Sequence, residues 1–462
     1  GREVGAMANL LSAHRELGNA AHRAEVAALW GVASVPEKPG KTALEMFEAV
    51  ADGEIKALWI ACTNPAQSLP DQRTVRRALE RCEFVVLQEA FAHTATADYA
   101  HLLLPATTWG EKEGTVTNSE RRITRVRAAV PPPGEGDPVS GPGARHDWAI
   151  ATAFGRRLQA RLMPAHAPLF PYETPESIWN EHRESTRGRD LDITGLSYAA
   201  LEAAPAQWPF RSGADSDSER LYADGVFPTA DGRARFASVE PKPLADAQDM
   251  RFPLSLNTGR LRDQWHGMSR TGLLGRLYGH VNEPAVDLHP AEMARRGIAN
   301  GDWVHLTGRR GSLLLPARAS DALGEGQAYV PMHWGSEVFG GKSGSGRPQG
   351  GINQITSPAV CPISRQPELK HTAVKVLKAT LPWSLLAMAW LPADGAARVR
   401  QELRGLMDGF DSAYCLPFGR EGDEREEAPR PPGEPVERGV LLRAVNADAP
   451  AGEVLERLRA LM

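Results

Sequence analysis

A chain of 462 residues with 42% hydrophobic and 24% charged side chains is long enough for two to four domains, each with its own core. Its net charge of −4, from 53 basic and 57 acidic residues, gives no compositional pull toward nucleic acid. No apolar run approaches the roughly 18 residues of a membrane span; the longest, 381–391, holds a proline, a serine and two tryptophans and suits a buried segment or a linker.

Four cysteines (Cys62, Cys82, Cys361, Cys415) stand far apart, with no CxxC pair and no histidine at ligand spacing. A zinc or iron–sulfur site built from this chain alone is therefore not expected. Single buried thiols in a reducing, cytoplasmic setting are expected instead. The sequence opens Gly1-Arg2-Glu3-Val4-Gly5, without an initiator methionine or a signal pattern, and reads as a fragment that starts within a domain.

In chain order, Leu44, Phe47, Val50 and Ala51 are spaced for a helix over 42–51. Residues 57–62, ALWIAC, form a continuous apolar run suited to a strand buried on both faces. Thr63-Asn64-Pro65 is a turn, and Asp71 is placed to cap a helix with Val75, Ala78, Leu79 and Cys82 inward. A strand over 84–87 ends in Gln88-Glu89, a short polar helix covers 94–100, and a third strand over 101–104 stops at Pro105. This alternation predicts a parallel α/β sheet, whose ligand crevice lies beyond the carboxyl ends of its strands.

Asn64, Gln88, Glu89 and the loop 107–122 occupy those ends. Amides and carboxylates there can pair with a base or a ribose hydroxyl, and three consecutive strand ends carrying them point to a nucleotide. Singly, each is equally a turn or capping residue. No GxGxxG is present. The following stretch, 109–126, offers Lys112 to a phosphate as a point charge, with Gly114 for close approach and Asn118, Ser119, Arg121 and Arg122 as donors. A solvated charged hairpin is the plainer alternative.

Residues 131–143, PPPGEGDPVSGPG, are a surface insertion too rich in proline and glycine to fold alone. A helix over 147–158 has Trp148, Ile150, Ala151 and Phe154 apolar, and 163–243 is irregular, with Tyr198, Trp208 and Phe210 as anchors for a segment expected to cover the ligand. From Phe252 the pattern turns to β. A short helix over 289–296 carries Pro290 in its first turn and Gly297 past its end. Strands over 303–307 and 312–317 flank a turn, and 327–331 and 372–376 add more, giving a compact β-barrel.

The densest polar stretch is 257–272, NTGRLRDQWHGMSRTG, with three glycines, three arginines, one tryptophan and one histidine. A donor-rich loop leaving a strand suits a large anionic ligand. Other barrel loops carry His333-Trp334-Gly335, Asn353 and Lys370-His371. The Gly-Gly-Lys-Ser at 340–343 is a decoy, because a phosphate loop of GxxxxGK[ST] form needs glycine at 336, which is serine. After Lys378 the chain reads as a tail, with a charged, proline-rich linker over 421–435 and a terminal helix marked by Val454, Leu455, Leu458 and Leu461. The resulting division is 1–162 α/β, 163–250 connecting segment, 251–378 barrel and 379–462 linker and extension.

Several stretches together resemble one family, the molybdopterin dinucleotide oxidoreductases, and within it the catalytic subunit of assimilatory nitrate reductase. They are GREVGAMANLL (1–11), ALWIACTNPAQSLPDQ (57–72), VVLQEAFAHTATADYAHLLLPATTWGEKEGTVTNSERRI (85–123), IWNEHRESTRGRDLDITGLSY (178–198), LNTGRLRDQWHGMSRTG (256–272) and QPELKHTAVKV (366–376). The resemblance implies an α/β parallel-sheet dinucleotide-binding domain, a six-stranded-type β-barrel and a short helical tail. It implies molybdenum held by two molybdopterin guanine dinucleotides. One nucleotide would lie on Asn64, Gln88, Glu89, Lys112 and Asp147; the barrel would grip the other pterin through Thr258, Gly259, Arg260, Leu261, Arg262, Asp263, Gln264, Trp265, His266 and Gly267, with Trp334, Asn353 and Lys370. Asp147 comes from the resemblance alone. Nitrate is the implied substrate, and Arg2 the implied fork for that planar anion. The family's four-cysteine motif, for a [4Fe-4S] cluster, and its cysteine ligand to molybdenum belong to an amino-terminal half missing from this sequence. No metal ligand is therefore expected within it, turnover by the fragment alone is not expected, and an electron-donor protein or reductase subunit is. Two alternatives stay open: another molybdopterin enzyme, such as a formate dehydrogenase or a different oxyanion reductase, and a non-catalytic cofactor-binding or assembly module.

Overall fold

The computed structural model describes residues 10–134, 143–216, 219–238, 240–342, 348–419 and 437–462. Asn19 accepts the amide hydrogens of Ala21 and His22 and starts α1 (Ala20–Trp30), closed by Gly31 at φ +64°. Thr42 and Glu45 cap each other at the start of α2 (Ala43–Ala51), as the periodicity predicts. The three expected strands are β1 (Ala57–Ala61), β2 (Phe84–Glu89) and β3 (Leu102–Pro105), with α3 (Gln72–Arg81) between the first two. They form a parallel sheet in the order β1–β2–β3.

Three local expectations need correcting. Strand β1 buries only Ile60, because α2 and α3 pack on one face of the sheet while Trp59 stays exposed on the other. Asp71 occupies the cap position of α3 in a left-handed conformation, φ +46°, and its carboxylate accepts the Thr74 hydroxyl at 2.8 Å instead of a helix amide. The polar helix over 94–100 shortens to a single 3₁₀ turn, Ala97–Tyr99.

Further on, β4 (Gly114–Thr117) and β5 (Arg122–Val126) pair as an antiparallel hairpin, which Lys112 precedes. Helix α4 (Asp147–Leu162) runs past its expected end, and its Phe154 is exposed despite its apolar spacing. The irregular segment contains α5 (Pro175–Ser185) and α6 (Tyr198–Ala203). Its anchors hold as expected: Tyr198 is buried with Ile123, Trp179, Leu196 and Leu201, and Trp208 and Phe210 pack against that cluster.

The barrel consists of β6 (Leu254–Gly259), β7 (Val286–Leu288), β8 (Trp303–Gly308), β9 (Ser312–Ala319), β10 (Gln327–Pro331) and β11 (Thr372–Lys378). It closes in the order β7–β9–β8–β11–β6–β10. Helix α7 (Pro290–Arg295) follows β7 and ends at Gly297, φ +63°, the proline-to-glycine order read from the sequence. Inward residues Leu254, Leu256, Val304, Leu306, Leu313 and Leu315 are all essentially inaccessible to solvent.

The tail is more than a linker with a terminal helix. Strands β12 (Trp383–Pro392), β13 (Ser412–Phe418) and β14 (Glu437–Asn446) join Phe339–Gly340 in a four-stranded sheet, with α8 (Ala393–Leu406) and the expected terminal helix α9 (Gly452–Leu461) packed on it. The proline-rich stretch over 421–435 lies outside the described residues. Of the four cysteines, Cys82 and Cys415 are buried and Cys62 and Cys361 exposed; burial pushes the Cys415 thiol up to about 11.

Packing divides the chain into two units: residues 1–41, 88–90 and 104–242 in one, and 42–87, 91–103 and 243–462 in the other.

Candidate functional site

Strand pairing gathers three barrel loops at one place. Gly259 of β6 lies beside Pro331 of β10, and the Met332 amide donates to the Gly259 carbonyl at 2.9 Å, so the loops 259–272 and 332–337 leave the barrel together. On the other side of β6, Thr372 of β11 stands opposite Leu256. The Thr258 hydroxyl donates to the Leu369 carbonyl at 2.9 Å, which brings Lys370 to the same edge.

The segment that leaves β1 meets those loops. Asn64 Nδ2 donates to Glu337 Oε1 at 2.6 Å and to Gln67 Oε1 at 3.3 Å, and Asn64 Oδ1 accepts from Thr96 N at 3.1 Å and Thr96 Oγ1 at 2.6 Å. Gln67 Nε2 donates to the His333 carbonyl at 3.0 Å, and Asn353 Nδ2 donates to the Gln67 carbonyl at 2.7 Å. Asn64 and Asn353 are thus occupied in joining loops. Gln264 is similarly engaged, donating to Leu277 O at 3.1 Å and accepting from Thr271 at 2.7 Å.

Cations cluster at this edge. Arg260 Nη2 lies 3.2 Å from His266 Nε2, and the Arg270 guanidinium covers the exposed Trp265 ring at 4.1 Å. Asp263 is taken by Arg262 at 2.9 Å and by His280. Among the described residues, neither Arg260 nor Lys370 has a carboxylate partner. Burial by the surrounding loops and the nearby Arg260 guanidinium hold the Lys370 ammonium below its usual range. Two cations kept close without a counterion make an anion-binding edge. Trp334, next in sequence to His333, is buried, and among the described residues its indole N–H has no hydrogen-bond partner.

A second cluster lies in the other unit. Gln88, buried at the end of β2, donates to Asp147 Oδ1 at 2.7 Å, and Lys112 Nζ pairs with Asp147 Oδ2 at 2.9 Å. Asp147 sits in the first turn of α4, where a carboxylate is favoured. Lys112 also lies 5.5 Å from the centre of the Trp109 ring. Glu89 Oε1 accepts the Ala90 amide at 2.8 Å. Gln88, Lys112 and Asp147 therefore form one hydrogen-bonded group, and Arg2 lies outside the described residues.

Residue-by-residue reading did not single out Gln67 or Glu337, which brace the edge, or assign His333 a role. Among the described residues no group of three or more His, Cys, Asp or Glu side chains is placed to hold a metal ion. The arrangement can bind an extended anion.

The segment that leaves β1, braced against the loops of a six-stranded barrel beside a pair of cations, is suited to hold a large anionic ligand. The Molybdopterin oxidoreductase family model matches residues 2–157, and the Molydopterin dinucleotide binding domain model matches residues 254–373. This chain belongs to the molybdopterin oxidoreductase family. It is 37% identical to a nitrate reductase of Klebsiella oxytoca over 85% of this chain and 42% of that one. It is 32% identical to the assimilatory nitrate reductase catalytic subunit of Bacillus subtilis, over 81% of this chain and 50% of the relative. An F420-dependent formate dehydrogenase subunit alpha of Methanocaldococcus jannaschii is 32% identical over 73% and 45% of the two chains. The chain thus spans about half the length of these curated relatives. In fold it is similar to acetylene hydratase from Pelobacter acetylenicus, with a TM-score of 0.50 at 18% identity over 73% of this chain and 46% of that one.

Proposed function

We propose that this chain is the nucleotide-gripping half of an assimilatory nitrate reductase, and that it holds a molybdenum cofactor carrying two molybdopterin guanine dinucleotides. The observation that carries the reading is the cationic edge of Arg260 and Lys370, and the buried Trp334 N–H in the adjoining loop is a further donor. A diphosphate offers the charge that the first two lack, and a pterin or base offers an acceptor for the third. Gln88, Lys112 and Asp147 would serve the other nucleotide, with Lys112 toward phosphate and the amide and carboxylate toward a base or ribose. Similarity to nitrate reductases supports nitrate as substrate.

When bound, the cofactor supplies the redox chemistry that converts nitrate, two protons and two electrons to nitrite and water. The residues described here bind and orient. Arg260 and Lys370 neutralise the ligand, Gln67 and Glu337 hold the loops that carry them, and the buried Trp334 fixes one polar contact. Arg2 is proposed as the nitrate fork. The electrons would arrive through a [4Fe-4S] cluster in the rest of the protein, from a separate donor protein or reductase subunit. A cytoplasmic location goes with the assimilatory reading. Among the described residues, no helix is long and apolar enough to cross a membrane.

The test is the metal and nucleotide content of the longer protein containing this chain, together with viologen-driven nitrate reduction. Molybdenum, guanine nucleotide and nitrite production are expected, and a folded protein without molybdenum overturns the reading. Lys112→Ala and Lys370→Ala should each lower cofactor occupancy several-fold while changing stability by no more than about 1 kcal/mol, since both side chains are partly exposed. Unchanged occupancy in both variants would remove the phosphate roles. A formate dehydrogenase is the second reading, favoured by the 32% identical relative of that name. Bound molybdenum with formate oxidation and no nitrate turnover would select it.

A further inference from the structure

We propose that His333 is the positioning residue of the 258–267 loop, a neutral imidazole protonated on Nδ1 whose two nitrogens tie both sides of the loop and set the shape of its anion-binding edge. The ring is completely buried. The Leu261 amide can only donate, so Nε2, 2.9 Å away, must present its lone pair. The His266 carbonyl can only accept, so Nδ1, 2.6 Å away, must carry the proton. One tautomer meets both demands. The opposite tautomer sets hydrogen against hydrogen at Leu261 and lone pair against lone pair at His266, and the imidazolium loses the Leu261 bond.

The ring works from a fixed base. Gln67 Nε2 donates to the His333 carbonyl, and the Met332 amide donates to Gly259, so the root of the 332–337 loop is held to both β6 and the strand-end segment. Between Leu261 and His266 the chain is drawn around the ring, which places Arg260 next to His266 and Lys370. Burial above all, and then the basic His266, Arg260 and Lys370 side chains, hold the ring neutral below the ordinary imidazole range, against the His266 carbonyl bond, which favours the proton. The neutral ring is the form the fold favours. Its contribution is therefore full above the usual imidazole pKa and is lost as pH falls through the lower folded value. Protonation would open the Leu261 contact and add a third cation to the edge. The tether is a property of this chain, whereas its effect on a bound dinucleotide rests on the function proposed above.

The test combines two readouts, neither of which needs bound cofactor. In the chain labelled with ¹⁵N-histidine, long-range ¹H–¹⁵N spectra at neutral pH should show His333, assigned by its loss in His333→Gln, with a protonated Nδ1 and a bare Nε2. The reverse tautomer, or titration at the usual imidazole pH, overturns the proposal. Hydrogen exchange in peptides covering 258–268, corrected for intrinsic rates, should lose about tenfold protection on acidification, of the order of one hydrogen bond. His333→Gln can offer an oxygen to the Leu261 amide without gaining a proton, so it should retain protection through the same pH range. If His333→Gln loses protection in parallel with the wild type, the tether is not the cause. Should that variant fail to fold, the wild-type tautomer and its titration still decide. A failed tether leaves the cofactor reading standing, and a longer protein without molybdenum leaves the tether standing.

Discussion

Single atoms decide the geometry at the cationic edge. Gly267 faces Gln67, and a Cβ there would overlap Gln67 Oε1 and approach Asn64 Nδ2. Gln67 could yield only by giving up its bond to the His333 carbonyl. Gly267→Ala should therefore destabilise the unit by about 1–3 kcal/mol, the usual range for overpacking a filled site. Urea unfolding would measure this, and a variant within error of the wild type would show that Gln67 has room to move. The polar character of the 257–272 stretch was legible in the sequence, but the separate roles of its residues were not. Asp263 and Gln264 are occupied by neighbours in the same loop or just beyond it. Asp147 could not be found from spacing, because its partners Gln88 and Lys112 lie 59 and 35 residues away.

The entry to the barrel shows how one element locks several. Asp246 precedes β6 and is almost fully buried. Its carboxylate takes the Thr372 hydroxyl, the Ala373 amide at 3.2 Å, Arg309 at 2.5 Å and Arg310 at 3.3 Å. It therefore ties the incoming segment to β11 and to the β8–β9 turn. Burial alone would raise its pKa, but the Thr372 and Ala373 hydrogen bonds and the two guanidiniums together lower it below the ordinary carboxylate range. The stability this gives is complete above the usual aspartate pKa and is lost as pH falls through the lower folded value. Asp246→Ala should cost about 3 kcal/mol near neutral pH, because it leaves buried donors and guanidiniums unpaired. The deficit should shrink as the wild type is acidified. Urea midpoints taken from about pH 7 to pH 3 would check this, and a deficit constant across that range would contradict the linkage. The barrel strands themselves were readable, since alternation and the Gly308–Gly311 turn mark the β8–β9 hairpin. Asp246 was not, because nothing local distinguishes an aspartate that bonds a strand more than a hundred residues later.

At the scale of the whole molecule, the tail is where composition misleads most. Residues 381–391 have no charged side chain, which suits a linker or a buried run, yet they build an ordered strand whose partner β14 begins after the proline-rich stretch. The sheet is joined to the barrel core. Tyr414, Leu416 and Val445 are buried in the same cluster as Tyr278, Leu313 and Trp334, and the Ser412 hydroxyl donates to the Leu314 carbonyl at 2.8 Å. Gln349 Nε2 also donates to Asp411 O at 3.2 Å, and the Lys342 amide to Phe410 O at 2.9 Å. A chain ending at residue 378 would keep all six barrel strands but lose these three buried side chains. At about 1.5–3 kcal/mol for each, the loss is roughly 5–9 kcal/mol, comparable to the net stability of a typical domain. Chains ending at 378 and at 462 should therefore differ in soluble yield and in urea midpoint, with the shorter one unfolded or close to it. Equal stability would mean that the barrel closes its core without β13 and β14. The expected loss also bears on the cationic edge, because Trp334 belongs to the same cluster as Tyr414 and Leu416. Residues far along the chain from Arg260 and Lys370 thus help to keep the loop beside them in place.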